Sequence, residues 1–264
     1  MGVRAVNGMG EVIRSGGRVL KNVTGLDICK LLTGSHGTLA VMTEITLKVL
    51  PAPERTATLA ITGLDAKQGV AALSAALGSP YAVCGAAYLP QADGFSGSVT
   101  LARIEDFAPS VVYRTGKLRA DLARFGSGEI LDDATSKPLW TRIGNAQVLQ
   151  ASAEHAIWRV SVRPSAGPRV AEAAQALGAS WFMDWGGGLV WIAASASAET
   201  HAEICHIAAR EQGTWTLFRA PETLRAACEV IPPEDAPLAR IAQHVKAAFD
   251  PRGILNPGRM RAGC

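Results

Sequence analysis

The sequence predicts an α+β protein. A glycine-rich segment comes first, and an antiparallel-sheet domain with its helices gathered on one face follows. Three observations support this fold class. Residues 1–50 alternate strand patterns with glycine loops, Pro51-Ala52-Pro53 breaks that pattern, and residues 56–218 repeat one order of strands and helices. With 264 residues and 48% hydrophobic content, the chain has enough apolar material for one large or two modest domains.

Charge and cysteine content exclude several classes of protein. The net charge is +3 with both signs spread along the chain, which argues against a dedicated nucleic-acid surface. No apolar stretch is long enough to cross a bilayer, so no transmembrane segment is expected. The cysteines are odd in number and widely spaced, which favours reduced thiols in a cytoplasmic protein; they are Cys29, Cys84, Cys205, Cys228 and Cys264.

The first fifty residues are predicted to contain strands and one short helix. Residues 3–6 and 12–13 have strand patterns joined by an Asn7-Gly8 turn, and the alternation from Val41 to Val49 predicts a further strand. The chain therefore begins inside a sheet.

Two loops of small and hydroxyl residues flank the predicted helix 28–32. They are Lys21-Asn22-Val23-Thr24-Gly25-Leu26-Asp27 and Gly34-Ser35-His36-Gly37-Thr38-Leu39-Ala40-Val41. Asp27 is a suitable N-cap, and Gly34 can take the left-handed position after the helix. Such loops can bring backbone N–H groups against a flat or anionic ligand, but two tight turns between packed elements fit the same residues. Neither loop is a Walker motif or a G-x-G-x-x-G fingerprint.

The middle of the chain repeats a β-α-β-β-α order. In the first half the predicted strands are 56–61, 82–89 and 98–104, and the helices are 65–77 and 109–125, with Val112, Leu118, Leu122 and Phe125 on the apolar side of the second. In the second half the strands are 157–162, 181–184, 189–193 and 214–218, and the helices are 168–177 and 199–212. The repeat predicts one antiparallel sheet. A last helix, 237–249, carries Leu238, Ile241, Val245 and Phe249 on one stripe.

Two motifs at opposite ends of the chain carry a family resemblance. The two glycine loops, together with Phe249-Asp250-Pro251-Arg252-Gly253-Ile254-Leu255-Asn256-Pro257-Gly258-Arg259, resemble the FAD-binding domain of the vanillyl-alcohol oxidase/PCMH flavoproteins. Among these, the chain is most similar to the FAD-binding E-type subunits of bacterial glycolate oxidases. The resemblance implies three segments. Residues 1–50 are the C-terminal part of a PCMH-type FAD-binding domain, 51–235 a substrate or cap-type domain, and 236–264 a helix and tail that return to the FAD domain.

The resemblance also implies where FAD binds. Backbone groups around Gly34, Ser35, Gly37, Thr38 and Leu39, with Val41, would lie against the adenine dinucleotide; Asn22, Gly25 and Asp27 would shape the adjoining wall, and Asn256 would approach the flavin. The loop that grips the pyrophosphate belongs to the N-terminal lobe of such proteins, and the resemblance, taken with a chain that begins inside a sheet, implies that this lobe is absent from the given sequence. We therefore expect FAD in the full-length protein and no FAD on this 264-residue chain alone.

The function implied by the resemblance is oxidation of a 2-hydroxy acid. The chain would be the FAD-binding subunit of a glycolate oxidase complex that converts glycolate to glyoxylate, with a sister flavoprotein and an iron–sulfur subunit as partners. The complex would be cytoplasmic, or peripherally associated with a membrane. The alternative is a structural or electron-relay subunit paired with a metal-bearing sister flavoprotein. A third hypothesis is an independent flavin oxidoreductase.

No catalytic residue can be assigned from the sequence. Metal-dependent relatives carry a histidine-x-histidine motif; here no two histidines have that spacing, and no metal site is expected. The histidines are His36, His155, His201, His206 and His244. Asp184 and Trp185 could line a pocket, but a tight hairpin with packing tryptophans is equally compatible with three successive glycines. Four scattered arginines could each bind a carboxylate, and the sequence does not choose among them; they are Arg142, Arg159, Arg163 and Arg219.

Overall fold

A computed structural model describes residues 1–17 and 25–260, which contain eleven strands, eight α-helices and four short 3-10 helices. The strands are β1 (Gly2–Asn7), β2 (Val12–Gly16), β3 (Ala40–Thr46), β4 (Arg55–Thr62), β5 (Gly85–Leu89), β6 (Val99–Asp106), β7 (Gly128–Leu131), β8 (His155–Ser161), β9 (Ser180–Asp184), β10 (Leu189–Ser195) and β11 (Thr214–Arg219). The helices are α1 (Ile28–Leu32), α2 (Ala66–Leu77), α3 (Ala108–Asp121), α4 (Asp133–Gly144), α5 (Gly167–Ala176), α6 (Ala198–Arg210), α7 (Glu222–Ala227) and α8 (Ala236–Phe249).

The chain divides into two compact units. Unit 1 comprises Met1–Pro51 and Glu229–Cys264, as far as these segments are described, and unit 2 comprises Ala52–Cys228. Unit 1 thus combines segments from both ends of the sequence, while the long middle segment forms unit 2.

Unit 1 is built on a three-stranded antiparallel sheet in the order β2-β1-β3. Its core contains Ala5, Leu32 and Leu39, and Val245 and Phe249 of α8 pack against it. The backbone N–H of Gly8 donates to the carbonyl of Phe249 over 2.8 Å, which joins the β1–β2 turn to the end of α8. The predicted apolar stripe of α8 is only half correct, because Leu238 and Ile241 are exposed.

Unit 2 contains one eight-stranded sheet in the order β11-β8-β10-β9-β5-β6-β4-β7, and the pairings between its described strands are antiparallel. The α+β class and the predicted single antiparallel sheet are therefore confirmed. The two repeats give matching strand orders, β4-β6-β5 and β8-β10-β9. They meet where Tyr88 of β5 pairs with Met183 of β9. Adjacent strands with short connections explain this topology.

The helices of unit 2 lie on both faces of this sheet, not on one. Helices α2 and α3 pack on Leu59, Ile61 and Ile104, and α5 packs on β9 and β10 of the other repeat. Helix α4 instead packs on the opposite face, where Trp140 and Ile143 join a second apolar cluster. The sequence analysis missed β7, α4 and the short α7. In α4, Pro138 lies inside the helix and obscures the helical pattern.

The apolar side of α3 differs from the prediction by one position. Val111, Thr115 and Leu118 are buried along the helix, while Val112 is 57% exposed. The helix begins at Ala108, after Phe107, and its stripe starts one residue earlier than expected. The prediction of Val112 as a core residue was wrong.

Candidate functional site

The loop from Thr33 to Leu39 in unit 1 is held by its own hydroxyl groups. The Ser35 hydroxyl donates to the carbonyl of Leu32 over 2.8 Å, and the Thr38 hydroxyl donates to the carbonyl of Ser35 over 2.7 Å. Gly34 and Gly37 have φ values of +83° and +74°, a region that glycine occupies without steric cost. Both hydroxyls are thus used to shape the loop, and both side chains are buried.

The backbone N–H groups of this loop fall into two sets. Those of Thr33, Ser35 and Thr38 donate to the carbonyls of Cys29, Leu32 and Ser35 respectively. Those of Gly34, His36, Gly37 and Leu39 donate to no group in residues 1–17 and 25–260. These four N–H groups are the donors that the loop can offer a ligand.

The other predicted residues near this loop have distinct positions. Asp27 caps α1, and its Oδ1 accepts from the Lys30 N–H over 3.2 Å, as expected. Gly25 has a φ of +71°. The Leu39 side chain lies in the core, and Val41 on β3 is 54% exposed. Asn22 lies outside the described residues.

The returning tail contacts the loop through the side chains of Asn256 and Met260, and the Met260 sulfur lies 3.8 Å from the Thr38 hydroxyl oxygen. Asn256 Nδ2 donates to the carbonyl of His36 over 2.7 Å, a contact between residues 220 positions apart. A Cβ atom on Gly37 would come within 2.8 Å of that same nitrogen, so the approach requires glycine. Beside this contact is a cavity of about 600 Å³, lined by His36, Asn256, Pro257, Gly258 and Arg259.

Lys246 and Asp250 fix the tail in this position. Lys246 Nζ donates to the carbonyls of Thr38 (2.7 Å) and Leu255 (3.1 Å) and to Asp250 Oδ2 (2.7 Å). The buried Asp250 carboxylate also accepts from the N–H groups of Ile254 and Leu255. Burial alone would raise the pKa of Asp250, but the hydrogen bonds from Lys246 and these N–H groups hold it below the ordinary value. Sequence reasoning overlooked this pair, although its i,i+4 spacing on a helix was visible.

In unit 2, the aromatic–glycine segment contains both packing and exposed tryptophans. Trp181 stacks on Tyr88 and Trp191 stacks on Phe182, so these rings serve the sheet, as one of the two interpretations proposed. Trp185 is different, because it is 58% exposed and has a φ of +53°. The backbone N–H of Trp185 donates to Asp184 Oδ1 over 2.7 Å.

A second cavity, of about 440 Å³, lies beside Trp185. Asp184, Arg103 and Trp140 are among its lining residues. Burial raises the pKa of the Asp184 carboxyl, and the Trp185 N–H and the Arg103 charge oppose this shift. The Arg103 guanidinium carbon lies 4.9 Å from the centre of the Trp140 ring.

The four candidate arginines have different surroundings. Arg142 pairs with Asp93 at 2.8 Å, Arg163 donates to Gln212 at 3.4 Å, and Arg219 is exposed at the end of β11. Arg159 lies among aromatic rings, at 5.1 Å from the centre of Trp191. The structure therefore does not gather these arginines in one place.

The described histidines and cysteines show no arrangement typical of a metal site. His201 Nδ1 accepts from Trp158 Nε1 over 3.1 Å, and Cys205 Sγ lies 3.4 Å from His201 Nε2. Burial lowers the pKa of His201 and raises that of Cys205 to about 11. Among residues 1–17 and 25–260, no group of three or more His, Cys, Asp and Glu side chains could hold a metal ion. No helix in these ranges is sufficiently long and apolar to span a bilayer.

Comparison with known proteins shows similarity along nearly the whole chain. No family model matches it. Glycolate oxidase subunit GlcE of Escherichia coli is 30% identical over 99% of this chain, which spans 65% of that protein's length. Glycolate oxidase subunit GlcD of Bacillus subtilis is 33% identical over 41% of this chain and 22% of its own length. The crystal structure of p-cresol methylhydroxylase matches 98% of this chain and 65% of its own, with a TM-score of 0.66 and 16% identity.

Proposed function

We propose that this chain belongs to the vanillyl-alcohol oxidase/PCMH flavoprotein superfamily and is part of the FAD-binding subunit of a glycolate oxidase. The observation that carries the proposal is the 30% identity with GlcE over 99% of the chain, through both units. The whole protein would oxidise glycolate, a 2-hydroxy acid, to glyoxylate. The chain spans about two thirds of its relative's length, so the remaining third would complete the subunit.

The loop and tail of unit 1 fit one wall of an FAD site. The free N–H groups of Gly34, His36, Gly37 and Leu39 would donate to the adenine dinucleotide. The hydrogen bonds of the Ser35 and Thr38 hydroxyls would hold those donors in place. Asn256 and the neighbouring cavity would border the flavin. Glycine at position 37 would keep Asn256 in this place, because a side chain there would push it away.

The remaining predicted residues would complete this wall. Val41 is exposed beside the loop, and Gly25, Asp27 and Asn22 belong to the preceding segment. When bound, FAD would accept the hydride equivalent that leaves the alcohol carbon. The contribution of this chain is to bind and orient the cofactor from one side.

A complex with other subunits is part of the proposal. Similarity to both GlcE and GlcD supports a sister flavoprotein as partner, and electrons would pass on through an iron–sulfur subunit. A role in which the chain only relays electrons has no observation of its own in its favour. We place the complex in the cytoplasm or at a membrane surface through its other subunits.

The experiment that tests this function is glycolate-dependent bleaching of the flavin absorbance. The full-length subunit would be produced with and without its sister subunits, and glycolate would be compared with acetate, which lacks the hydroxyl. Bleaching by glycolate alone supports the proposal. A stable flavin complex that glycolate does not reduce, in either preparation, contradicts it.

The 264-residue chain alone is expected to purify without FAD. A site must exceed the cost of immobilising a ligand, on the order of 4–15 kcal/mol, and the donors found on this chain form one wall only. A protein with helix and sheet signals but without a flavin band is the expected result. Near-stoichiometric flavin on this chain would show that the loop and tail hold FAD by themselves.

A further inference from the structure

Three arginines of unit 2 have a buried Nε that donates no hydrogen bond within the described residues: Arg103, Arg114 and Arg159. Arg103 Nη1 lies 3.4 Å from Glu105, and Arg114 Nη2 lies 2.5 Å from Asp106. No carboxylate among residues 1–17 and 25–260 pairs with Arg159. Arg159 is thus a half-buried cation whose charge has no partner in this part of the chain.

Aromatic rings surround the Arg159 guanidinium on the sheet face. The guanidinium carbon lies 5.1 Å from the centre of Trp191, 5.8 Å from Trp185 and 5.9 Å from Phe218. The rings of Trp185 and Phe218 are more than half exposed, and Arg159 itself is only partly buried. Such rings restrict the planar guanidinium and leave its edge free for a planar anion, which arginine binds bidentately.

The backbone at Trp185 gives a second, independent observation. A bulky residue other than glycine with a φ of +53° is a conformational outlier, and such outliers concentrate at ligand sites. Asp184 accepts from the Trp185 N–H and so maintains this conformation. The exposed ring is therefore held beside Arg159 at a conformational cost.

Strand register adds a hydroxyl to the same place. Arg159 of β8 pairs directly with Trp191 of β10 on one side and with Thr216 of β11 on the other. Directly paired residues of antiparallel strands carry their side chains on the same face. Thr216 therefore shares the face on which the guanidinium and the rings lie.

We propose that Arg159, flanked by Trp185, Trp191 and Phe218, binds the carboxylate of a small organic acid, with Thr216 beside its 2-hydroxyl. The identification of that acid as a 2-hydroxy acid rests on the proposed function. Binding of a carboxylate at Arg159 rests on the geometry of unit 2 alone. This assigns to one arginine the role that the sequence left open among four.

The test is a titration of the 264-residue chain followed by NMR of its tryptophan indole N–H groups, with glycolate and acetate as probes. The Trp185 and Trp191 signals are expected to shift, and glycolate should bind more tightly than acetate. Trp158 is an internal control, because its indole donates to His201 and its side chain alternates to the other face from Arg159.

Matched variants assign the effect to one side chain. Arg159→Gln should weaken glycolate binding at least about tenfold, which corresponds to the loss of one charge-assisted contact. Arg159→Lys keeps the charge without the planar fork, so its affinity for glycolate should lie between those of the unchanged chain and Arg159→Gln. This variant remains informative if Arg159→Gln does not fold. Arg163→Gln, exposed and only four residues away, should bind as the unchanged chain does.

The proposal is overturned if the unchanged chain shows no shift at millimolar glycolate, or if Arg163→Gln weakens binding as much as Arg159→Gln. Equal binding of acetate and glycolate overturns the role of Thr216. If indole shifts depend on Arg159 but the complete complex does not oxidise glycolate, the carboxylate site is supported and the proposed function fails. If the complete complex oxidises glycolate equally well with and without Arg159→Gln, the proposed function is supported and the carboxylate site at Arg159 fails.

Discussion

The loop–tail junction of unit 1 and the sheet face of unit 2 are built in opposite ways. At the junction, polar contacts join residues far apart in sequence, such as Asn256 with His36 and Lys246 with Thr38. On the sheet face, apolar and aromatic side chains from adjacent strands pack, such as Phe182 and Trp191. The junction depends on a few directional bonds, whereas the sheet depends on buried area.

This difference predicts how each region responds to mutation. Apolar burial is non-directional and distributed over many residues, so its loss appears as a lower free energy of unfolding. A directional contact between two backbone segments contributes less to stability, but it fixes the position of groups that a ligand needs. The sheet should therefore be sensitive in stability, and the junction in ligand retention.

The largest effect should follow Phe182→Ala in unit 2. Phe182 is 1% exposed and stacks on Trp191, so its removal should cost about 3–5 kcal/mol in the free energy of unfolding. Urea denaturation followed by circular dichroism measures this. Phe218→Ala is the matched control, because Phe218 is 53% exposed and its loss should cost under about 1 kcal/mol. Equal costs would contradict the assignment of this face to apolar packing.

A smaller effect, confined to unit 1, is expected for Lys246→Met. The change leaves the buried Asp250 carboxylate without its cation, and hydrogen-exchange protection should fall at Thr38 and Leu255. In the unchanged protein the pKa of Asp250 is lower than its unfolded value of 3.8, so the carboxylate stabilises the fold at pH values above 3.8. This stabilisation is lost as the pH falls through the folded pKa.

The same variant should change this pH dependence. Without Lys246, Asp250 loses a hydrogen bond and a charge that lower its pKa, while the burial that raises the pKa remains, so the ionised carboxylate is less well stabilised at neutral pH. The loss of stability in Lys246→Met, relative to the unchanged protein, should therefore be largest near neutral pH and smaller below about pH 4. Thermal unfolding across this range measures it, and a deficit independent of pH would exclude the Lys246–Asp250 pair as its cause.

Gly37→Ala should disturb the junction with a moderate loss of stability. A positive φ costs a residue with a Cβ atom about 1–2 kcal/mol, and here the Cβ would also meet Asn256 Nδ2 at 2.8 Å. Gly10→Ala is the control, because Gly10 has a φ of +84° and nothing within 4 Å. The two variants should share the backbone cost, and only Gly37→Ala should also lower flavin retention in the full-length protein. Equal flavin loss would remove the steric argument.

The sequence predicted the sheet of unit 2 better than it predicted the helices that pack on it. Alternation and repeated order were sufficient for one antiparallel sheet, because each strand pairs mainly with close neighbours in its own repeat. Helix α4 was missed because Pro138 interrupts its pattern, and Val112 was misassigned because the buried side of α3 carries the polar Thr115 between Val111 and Leu118. Helix boundaries likewise depend on caps and packing that the pattern does not contain.

For the candidate site, the sequence indicated residue types but not their partners. The glycines at 34 and 37 were expected in turns, and both have a positive φ. The hydroxyls of Ser35 and Thr38 could not be assigned, because their acceptors are carbonyls of the same loop. The choice of Arg159 among four arginines depends on register between β8, β10 and β11, which a single sequence does not specify.

The smallest effect on stability should come from Asn256→Ala, which separates position from stability most clearly. The variant loses one exposed hydrogen bond to the carbonyl of His36, and such a bond contributes about 0.5–1.5 kcal/mol. In the full-length protein, however, the end of the tail would lose its hydrogen bond to the loop at His36, so bound flavin should fall more than stability does. Arg252→Ala is the matched control, because Arg252 is exposed in the preceding turn. Flavin content after gel filtration, measured beside the unfolding midpoint, gives both quantities on one sample. Equal loss of flavin in the two variants would show that the junction does not position the cofactor, and the distinction between a directional junction and a packed sheet would then apply to stability alone.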